Sequence, residues 1–194
     1  MPPKQKFTKE EIITAALNLV RKNGIMSLTA RGLGAELGTS SRPIFTAFRN
    51  MEEVHKETIQ AARGVYNSYA KKGLSEDNAF KGVGMQYINF AKEEPWLFGL
   101  LFMTAGEIIL TLNDILSTID DNSEIIRNFI EKTYCLSQDL SDRLYQDLWI
   151  FTHGIACLCA TGVSHLSEEE VSRLLTEVFT GVLIKLKSEE NQND

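Results

Sequence analysis

Apolar residues recur at every third or fourth position along most of this chain, which is the spacing of an α-helix that buries one face. Thr8 and Glu11 form a capping box before the first apolar run, and Asn23-Gly24 is typical of a helix end. The same pattern predicts helices from Thr29 to Gly38, from Ser40 to Phe48, from Asn50 to about Lys72, over 75–93, from Pro95, within 107–137, over 139–162 and over 168–187. No segment alternates with the period of a strand. We therefore predict an all-α fold of about nine helices.

The third of these helices is very short and contains a proline. With Ser40 as its N-cap, Pro43 falls at the third helical position, where a missing N–H costs no helical hydrogen bond. Gly38 supplies the left-handed residue that ends the preceding helix. Helices two and three then have the proportions of a helix-turn-helix, whose small core is predicted to contain Leu33, Leu37, Ile44 and Phe48.

The opposite face of helix three remains free, and it is rich in groups that can form hydrogen bonds. These are Ser40, Ser41, Arg42 and Thr46. Hydroxyls and the positive end of a helix suit phosphates, and an arginine can read guanine edges in the major groove. The pattern favours a DNA-reading helix, although a helical hairpin on the protein surface is an alternative interpretation of this stretch.

Charge is distributed unevenly between the two parts of the chain. Residues 1–64 contain ten Lys/Arg and six Asp/Glu, whereas residues 65–194 contain ten and twenty. The overall net charge of −6 therefore hides a basic N-terminal part and an acidic remainder. This asymmetry indicates a basic binding head on a soluble acidic body.

These features together resemble the TetR (tetracycline-repressor-like) family of transcriptional regulators over residues 7–54. The matching motifs are Asn23-Gly24, Thr29-Ala-Arg31, Leu37-Gly-Thr-Ser40, Ile44-Phe45-Thr-Ala-Phe48 and Glu52-Glu53. The resemblance implies a helix-turn-helix DNA-binding domain over 1–50, a connecting helix over 51–72, and a domain over 51–194 that binds an effector and dimerises. Its implied partners are double-stranded operator DNA, a second copy of the chain and an unknown small molecule.

Three positions depart from the family pattern. Phe45 replaces the usual tyrosine and lacks its hydroxyl, Ala47 replaces a frequent histidine, and Met51 replaces a common lysine. We expect phosphate contacts to shift to Lys4, Lys6, Thr29, Thr39 and Arg49. The full set of expected DNA-binding residues is Lys6, Thr29, Arg31, Thr39, Ser40, Ser41, Arg42, Phe45, Thr46 and Arg49.

The C-terminal part offers weaker signals for an effector pocket and a dimer. Trp149, His153 and Gly154 resemble the W-x-x-x-H-G signature of one TetR subgroup. A pocket is predicted from Phe90, Trp96, Phe98, Phe102, Phe129, Trp149 and His153; the alternative is that these are core residues, with His153 hydrogen-bonded internally. The apolar stripe of the last helix predicts a dimer interface that includes Leu174, Val178, Phe179, Val182 and Leu186.

Other kinds of function find little support in the sequence. Cys157 and Cys159 lie two apart, so on a helix their thiols diverge, and buried free cysteines are favoured over a metal site. The first residues lack the apolar stretch of a signal peptide, and the apolar run WLFGLLFM is about half of what a bilayer requires. We expect a cytoplasmic protein that is not an enzyme, with no catalytic residues, metal, cofactor or membrane partner.

The leading hypothesis is a homodimeric transcriptional regulator, a repressor released from its operator by a small and largely apolar effector. Two other classes stay open at this point. One is a helical small-molecule-binding protein that has lost DNA recognition, which the missing tyrosine and lysine make conceivable. The other is a helical interaction module without a pocket.

Overall fold

The computed structural model describes residues 6–104 and 122–193, and these residues contain no strand. The described helices are α1 (Lys9–Asn23), a 3-10 turn (Ile25–Ser27), α2 (Ala30–Glu36), α3 (Ile44–Ala47), α4 (Met51–Leu74), α5 (Ala79–Glu93), α6 (Pro95–Phe102), α7 (Ser123–Tyr134), α8 (Gln138–Ala160) and α9 (Glu168–Asn193). The prediction of an all-α fold is confirmed. The part of the predicted 107–137 segment that precedes residue 122 lies outside the described residues.

The signals that predicted helix α1 are present as hydrogen bonds. The Glu11 amide donates to Thr8 Oγ1 at 3.1 Å, and the Thr8 amide donates to Glu11 Oε2 at 2.8 Å, which completes the capping box. Gly24 ends the helix with a φ of +76°, a conformation that residues with a Cβ rarely adopt. Pro95 likewise opens α6 in its first turn, as predicted.

Helix α3 is shorter than predicted, and the assignment of Ser40 as its N-cap is wrong. The helix contains only Ile44–Ala47, with Pro43 in the capping position, so residues 40–42 belong to the preceding turn. The proline is the physical reason, because its ring disfavours the α conformation of the residue before it, here Arg42. The Ile44 amide instead closes a single turn by donating to the Ser41 carbonyl at 3.1 Å.

The predicted core of the helix-turn-helix is largely confirmed. Leu33, Ile44 and Phe48 are buried and Leu37 is half-buried. Gly38 has the expected left-handed φ of +63°. Burial of Ile44 and Phe48, four residues apart, fixes which face of α3 points into the protein.

Contacts divide the chain into two compact units, which differ from the predicted domains. The first unit comprises Met1–Asn67 with Glu94–Thr104, and the second comprises Ser68–Glu93 with Ala105–Asp194. Residues 94–104 belong to the first unit because α6 packs on α1. Arg21 pairs with the carboxylate of Glu94 at 2.9 Å within this contact.

The second unit is built around α8, which packs against α5, α7 and α9. Helix α9 continues to Asn193, beyond the predicted end near residue 187. Side chains of its last turns are tied to the neighbouring helix α8. Glu189 pairs with Arg143 at 2.7 Å, and Glu190 accepts a hydrogen bond from the Ser137 amide at 2.8 Å.

Two glycines allow α4 and α5 to cross closely within the second unit. A Cβ built on Gly73 would lie 2.6 Å from the Gly82 carbonyl carbon, and a Cβ on Gly82 would meet the Gly73 carbonyl oxygen. Both neighbours are backbone, so a side chain at either position requires one helix to move.

This close crossing predicts opposite effects for two glycine-to-alanine changes. Gly82→Ala should destabilise the protein by ~1–3 kcal/mol, the usual cost of overpacking. Gly64→Ala is the control: Gly64 is exposed on α4, with open space around its Cα, and alanine there should stabilise by about 0.4–1 kcal/mol. Thermal unfolding followed by far-UV circular dichroism measures both changes. Equal midpoints for the two variants would contradict the crossing.

Candidate nucleic-acid interface

The face of α3 opposite Ile44 is exposed and carries the residues expected to contact DNA. Arg42, Phe45 and Thr46 are all exposed there, and the Phe45 ring retains 48% of its accessible surface. Thr46 lies half a helical turn from the buried Ile44 and therefore points away from the core. Arg49, just beyond the helix end, is exposed as well.

The turn before α3 gathers a second group of the expected residues. Lys6 Nζ donates to Thr39 Oγ1 at 3.4 Å, which brings the N-terminal segment to the turn. Ser40 is exposed, whereas Thr39 and Ser41 are half-buried. The chain is tight here because the Thr39 amide donates to the Gly34 carbonyl at 2.8 Å.

The start of α2 contains the last two expected residues. Thr29 is the N-cap, and its hydroxyl accepts a hydrogen bond from the Gly32 amide at 3.0 Å. Arg31 is exposed in the first turn. Thr29 therefore caps α2, at the helix start that the sequence predicted, and it remains exposed to solvent.

Cations of the first unit fall into two groups according to their partners. On α1, three cations are committed to carboxylates of the same chain: Lys9 to Glu53 at 2.8 Å, Arg21 to Glu94 at 2.9 Å and Lys22 to Glu36 at 2.7 Å. By contrast, the guanidinium groups of Arg31 and Arg42 form no ion pair with any residue that the structure describes. Arg31 and Arg42 lie on the helix-turn-helix, so an external anion can reach positive charge there that has no ion-pair partner among the described residues.

Glu53 joins α1, the end of α3 and the start of α4. Its carboxylate accepts hydrogen bonds from the Arg49 amide and from Lys9 Nζ, both at 2.8 Å. The Glu53 amide donates to Asn50 Oδ1 at 2.9 Å, so the predicted cap of α4 is present. The Arg49 amide first, and then Lys9, lower the pKa of Glu53 below its ordinary value.

Lys9 belongs to this junction, although no pattern in the sequence predicted it. Its ammonium lies 4.7 Å from the centre of the Phe48 ring in addition to its contact with Glu53. His55 has a similar role, since its Nε2 lies 2.7 Å from the Leu28 carbonyl oxygen and holds α4 to the loop before α2. These contacts join residues 27 to 44 positions apart, and no local pattern could have indicated them.

The residues predicted to line an effector pocket are divided between the two units. Trp96, Phe98 and Phe102 belong to the first unit. Phe98 and Phe102 are in ring contact, and Phe102 also meets Tyr66 edge-on at 5.0 Å. Trp96 is 53% exposed and lies against Gly24, where a Cβ would be 2.8 Å from its ring. The pocket as a whole stays a prediction.

In the second unit, His153 is the centre of a polar chain among aromatic rings. Trp149 stacks on its ring at 4.9 Å, the Tyr87 hydroxyl is 2.9 Å from Nδ1, and Cys157 Sγ is 3.3 Å from Nε2. The interpretation of His153 as internally hydrogen-bonded is thus confirmed. Burial lowers the pKa of His153 and raises the pKa of the Cys157 thiol, which favours the neutral form of both groups.

The other predicted pocket and interface residues of the second unit pack mostly inward. Phe90 is buried and meets Tyr69 edge-on at 5.3 Å, while Phe129 contacts Tyr134. Leu186 is only 1% exposed and belongs to the core of its own chain. The remaining predicted interface residues, Leu174, Val178, Phe179 and Val182, are half-buried. The dimer itself stays a prediction.

No protein-family model matches the chain, and no curated protein sequence matches it. None of the helices within the described residues is both long enough and apolar enough to span a bilayer.

The Glu53 junction predicts a pH-dependent contribution to stability. A carboxylate whose pKa is lowered on folding stabilises the protein above its unfolded pKa of about 4.3, and this contribution disappears as the pH falls through the folded value. Glu53→Gln should therefore have a lower melting temperature than the wild type at pH 7. The difference between the two should shrink as the pH falls below the unfolded pKa, because the ionised form of Glu53 is then lost.

The matched control is Glu52→Gln, because Glu52 is exposed in the same turn of α4. Its melting temperature at pH 7 should stay within about one degree of the wild type, as is usual for surface changes of under ~0.5 kcal/mol. Equal losses for both variants at pH 7 would contradict the role of Glu53 as a junction.

Proposed function

We propose that this protein is a dimeric transcriptional regulator that reads operator DNA with α3 and releases it when a small effector binds. It resembles regulators of the TetR family in the motifs of residues 7–54. The observation that carries the proposal is the contrast between the cations of α1, which are paired within the chain, and Arg31 and Arg42, which are exposed and have no carboxylate partner among the described residues.

Cations without a carboxylate partner favour a negatively charged ligand, because its binding reduces the repulsion between them. A surface with several unneutralised cations attracts phosphates and releases their counterions on binding, which favours association. Arg31 and Arg42 flank the same turn in sequence, and Lys6 reaches that turn through Thr39. A duplex backbone supplies the regularly spaced negative charges that such a surface fits.

Contacts to the phosphates are assigned to groups that lie around the reading helix. Thr29, Thr39, Lys6 and Arg49 take this role, while Arg42 is close enough to α3 to enter the major groove with it. Met51 is half-buried, and a methionine side chain provides no charge at the start of α4. Arg49 is exposed two residues earlier and compensates for the absent lysine.

The proposed dimer uses apolar side chains that remain exposed on the last two helices. On α8, Ile150 and Leu158 are exposed on one stripe with Gly154 between them, and a Cβ on Gly154 would meet nothing within 4 Å. Ile184 is exposed on α9 next to Gly181. These residues, and not the buried Leu186, are the better candidates for contact with a second copy. Two heads are needed because half-sites lie about one turn of DNA (~34 Å) apart.

The proposed effector is small and largely apolar, and it binds the C-terminal part of the chain. Aromatic rings with a few polar groups are typical of such sites, and the Trp149–His153 stack with Tyr87 has this composition. The effector acts by preferring the conformation that does not bind DNA. Moving an equilibrium from 1:99 to 99:1 requires about 5.5 kcal/mol of differential affinity.

The test of DNA reading uses duplexes selected by the wild-type protein from a random library. Binding should weaken steeply with salt, since each neutralised phosphate releases counterions. Arg42→Ala should lower the affinity for the selected duplex by about fivefold to 150-fold, corresponding to ~1–3 kcal/mol. Fluorescence anisotropy between 50 and 200 mM salt, roughly the range in which such dependence is large, measures both effects.

The control for this test is Lys187→Ala, which removes the same charge from an exposed site on α9 in the second unit. It should change the affinity by less than about twofold, as an isolated surface charge contributes little. Equal losses for the two variants, or a flat salt response, would contradict the proposal. The chain would then be better described as a helical small-molecule-binding protein without DNA recognition.

A further inference from the structure

Phe45 presents a large apolar ring on the face of α3 where solubility alone would favour a polar residue. Its neighbours Ile44 and Phe48 fill the core, so Phe45 contributes little to the burial that holds the helix in place. The ring keeps 48% of its accessible surface. The exposed part of the ring is available to a partner, and the surrounding chemistry indicates which kind.

Thr46 is the second exposed residue of the helix, and its hydroxyl is already in use. Thr46 Oγ1 donates to the Arg42 carbonyl at 3.2 Å, within the same turn. The proton that could otherwise be given to a base edge is therefore directed back to the backbone. The side chain still offers a partner its methyl group, adjacent in sequence to the Phe45 ring, and the lone pairs of a hydroxyl that can only accept.

The reading face of α3 is thus apolar at its centre and cationic at its edges. Arg42 precedes the apolar pair and Arg49 follows it, and both are exposed. A partner that fits this arrangement needs negative charges on either side of a methyl-bearing surface. The major groove of DNA has this pattern wherever a thymine lies between the phosphate backbones, because its 5-methyl group projects into the groove.

Resting on the proposed function, we infer that Phe45 and the Thr46 methyl read thymine 5-methyl groups in each operator half-site. Specificity at these positions comes from apolar contact, with no hydrogen bond to the base. Arg42 then distinguishes a neighbouring position by hydrogen bonding. The loss of the hydroxyl at position 45 changes what the residue reads, from a phosphate contact to a base methyl.

The experiment replaces each thymine of the selected duplex, one at a time, by deoxyuridine, which differs only by the absent methyl group. At one or two thymines per half-site, wild-type binding should weaken about threefold to sixfold, the factor expected when one buried methyl group is lost. Anisotropy titrations at fixed salt measure the change. Other thymines of the same duplex serve as internal controls.

Two variants assign the effect to its residues. Phe45→Ala should bind the thymine and deoxyuridine duplexes with affinities equal within about twofold at the sensitive position, because the coupling between ring and methyl is gone. Thr46→Ser removes only the methyl group and keeps the hydroxyl that donates to Arg42, so it should reduce the discrimination at a neighbouring thymine. Circular dichroism confirms that each variant is folded.

The outcomes separate this inference from the proposed function. If the wild type binds no duplex, the proposed function fails, and the exposed ring is then better explained by a protein partner. If it binds but every deoxyuridine substitution changes affinity by less than twofold, DNA reading stands and the methyl contact is overturned. The inference is equally overturned if both variants discriminate as strongly as the wild type.

Discussion

The close approach of Gly34 to the turn that follows α2 determines which face of α3 is exposed. The Thr39 amide donates to the Gly34 carbonyl at 2.8 Å, and a Cβ on Gly34 would lie 3.1 Å from backbone atoms of Thr39, Ser40 and Ser41. This contact folds the turn against its own helix. Ile44 and Phe48 then enter the core behind Leu33, and the opposite side of α3 faces solvent. Exposure of Arg42, Phe45 and Thr46 is a consequence of that packing.

Electrostatics of the first unit follow from the same arrangement. The junction at Glu53 uses Lys9 and the Arg49 amide, and α1 uses its remaining cations on Glu36 and Glu94. Glu36, Glu53 and Glu94 are thereby occupied in holding helices together. Arg31 and Arg42 are left with no carboxylate partner among the described residues, and the proposed function is based on that contrast.

The polar chain of the second unit illustrates how a buried histidine is accommodated. Tyr87 and Cys157 occupy its two ring nitrogens, and Trp149 covers its face. These contacts satisfy the hydrogen-bonding groups of His153 without a ligand. An effector site beside it is therefore part of the proposed function. An effector that binds here would have to replace one of these hydrogen bonds or contact the outer edge of the stack.

Local patterns in the chain were sufficient for the helices and their caps. The capping box at Thr8, the ends at Gly24 and Gly38 and the first-turn proline of α6 depend on residues within four positions of each other, and all are present. The prediction that Ser40 caps the start of α3 was wrong, because the restriction that Pro43 places on Arg42 outweighed the capping preference of Ser40. Thr46 could be placed on the exposed face from helical periodicity, because it lies two residues from the inward-facing Ile44.

Contacts between distant residues required the folded chain. Glu53 with Lys9, His55 with the Leu28 carbonyl, and Gly73 against Gly82 join segments whose separation in sequence leaves no periodic trace. Packing of the folded chain also determines that Leu186 is buried in the core of its own chain. It likewise leaves Ile150 and Ile184 exposed. An apolar stripe indicates that a helix must be covered, but which neighbour covers each residue depends on how the helices pack.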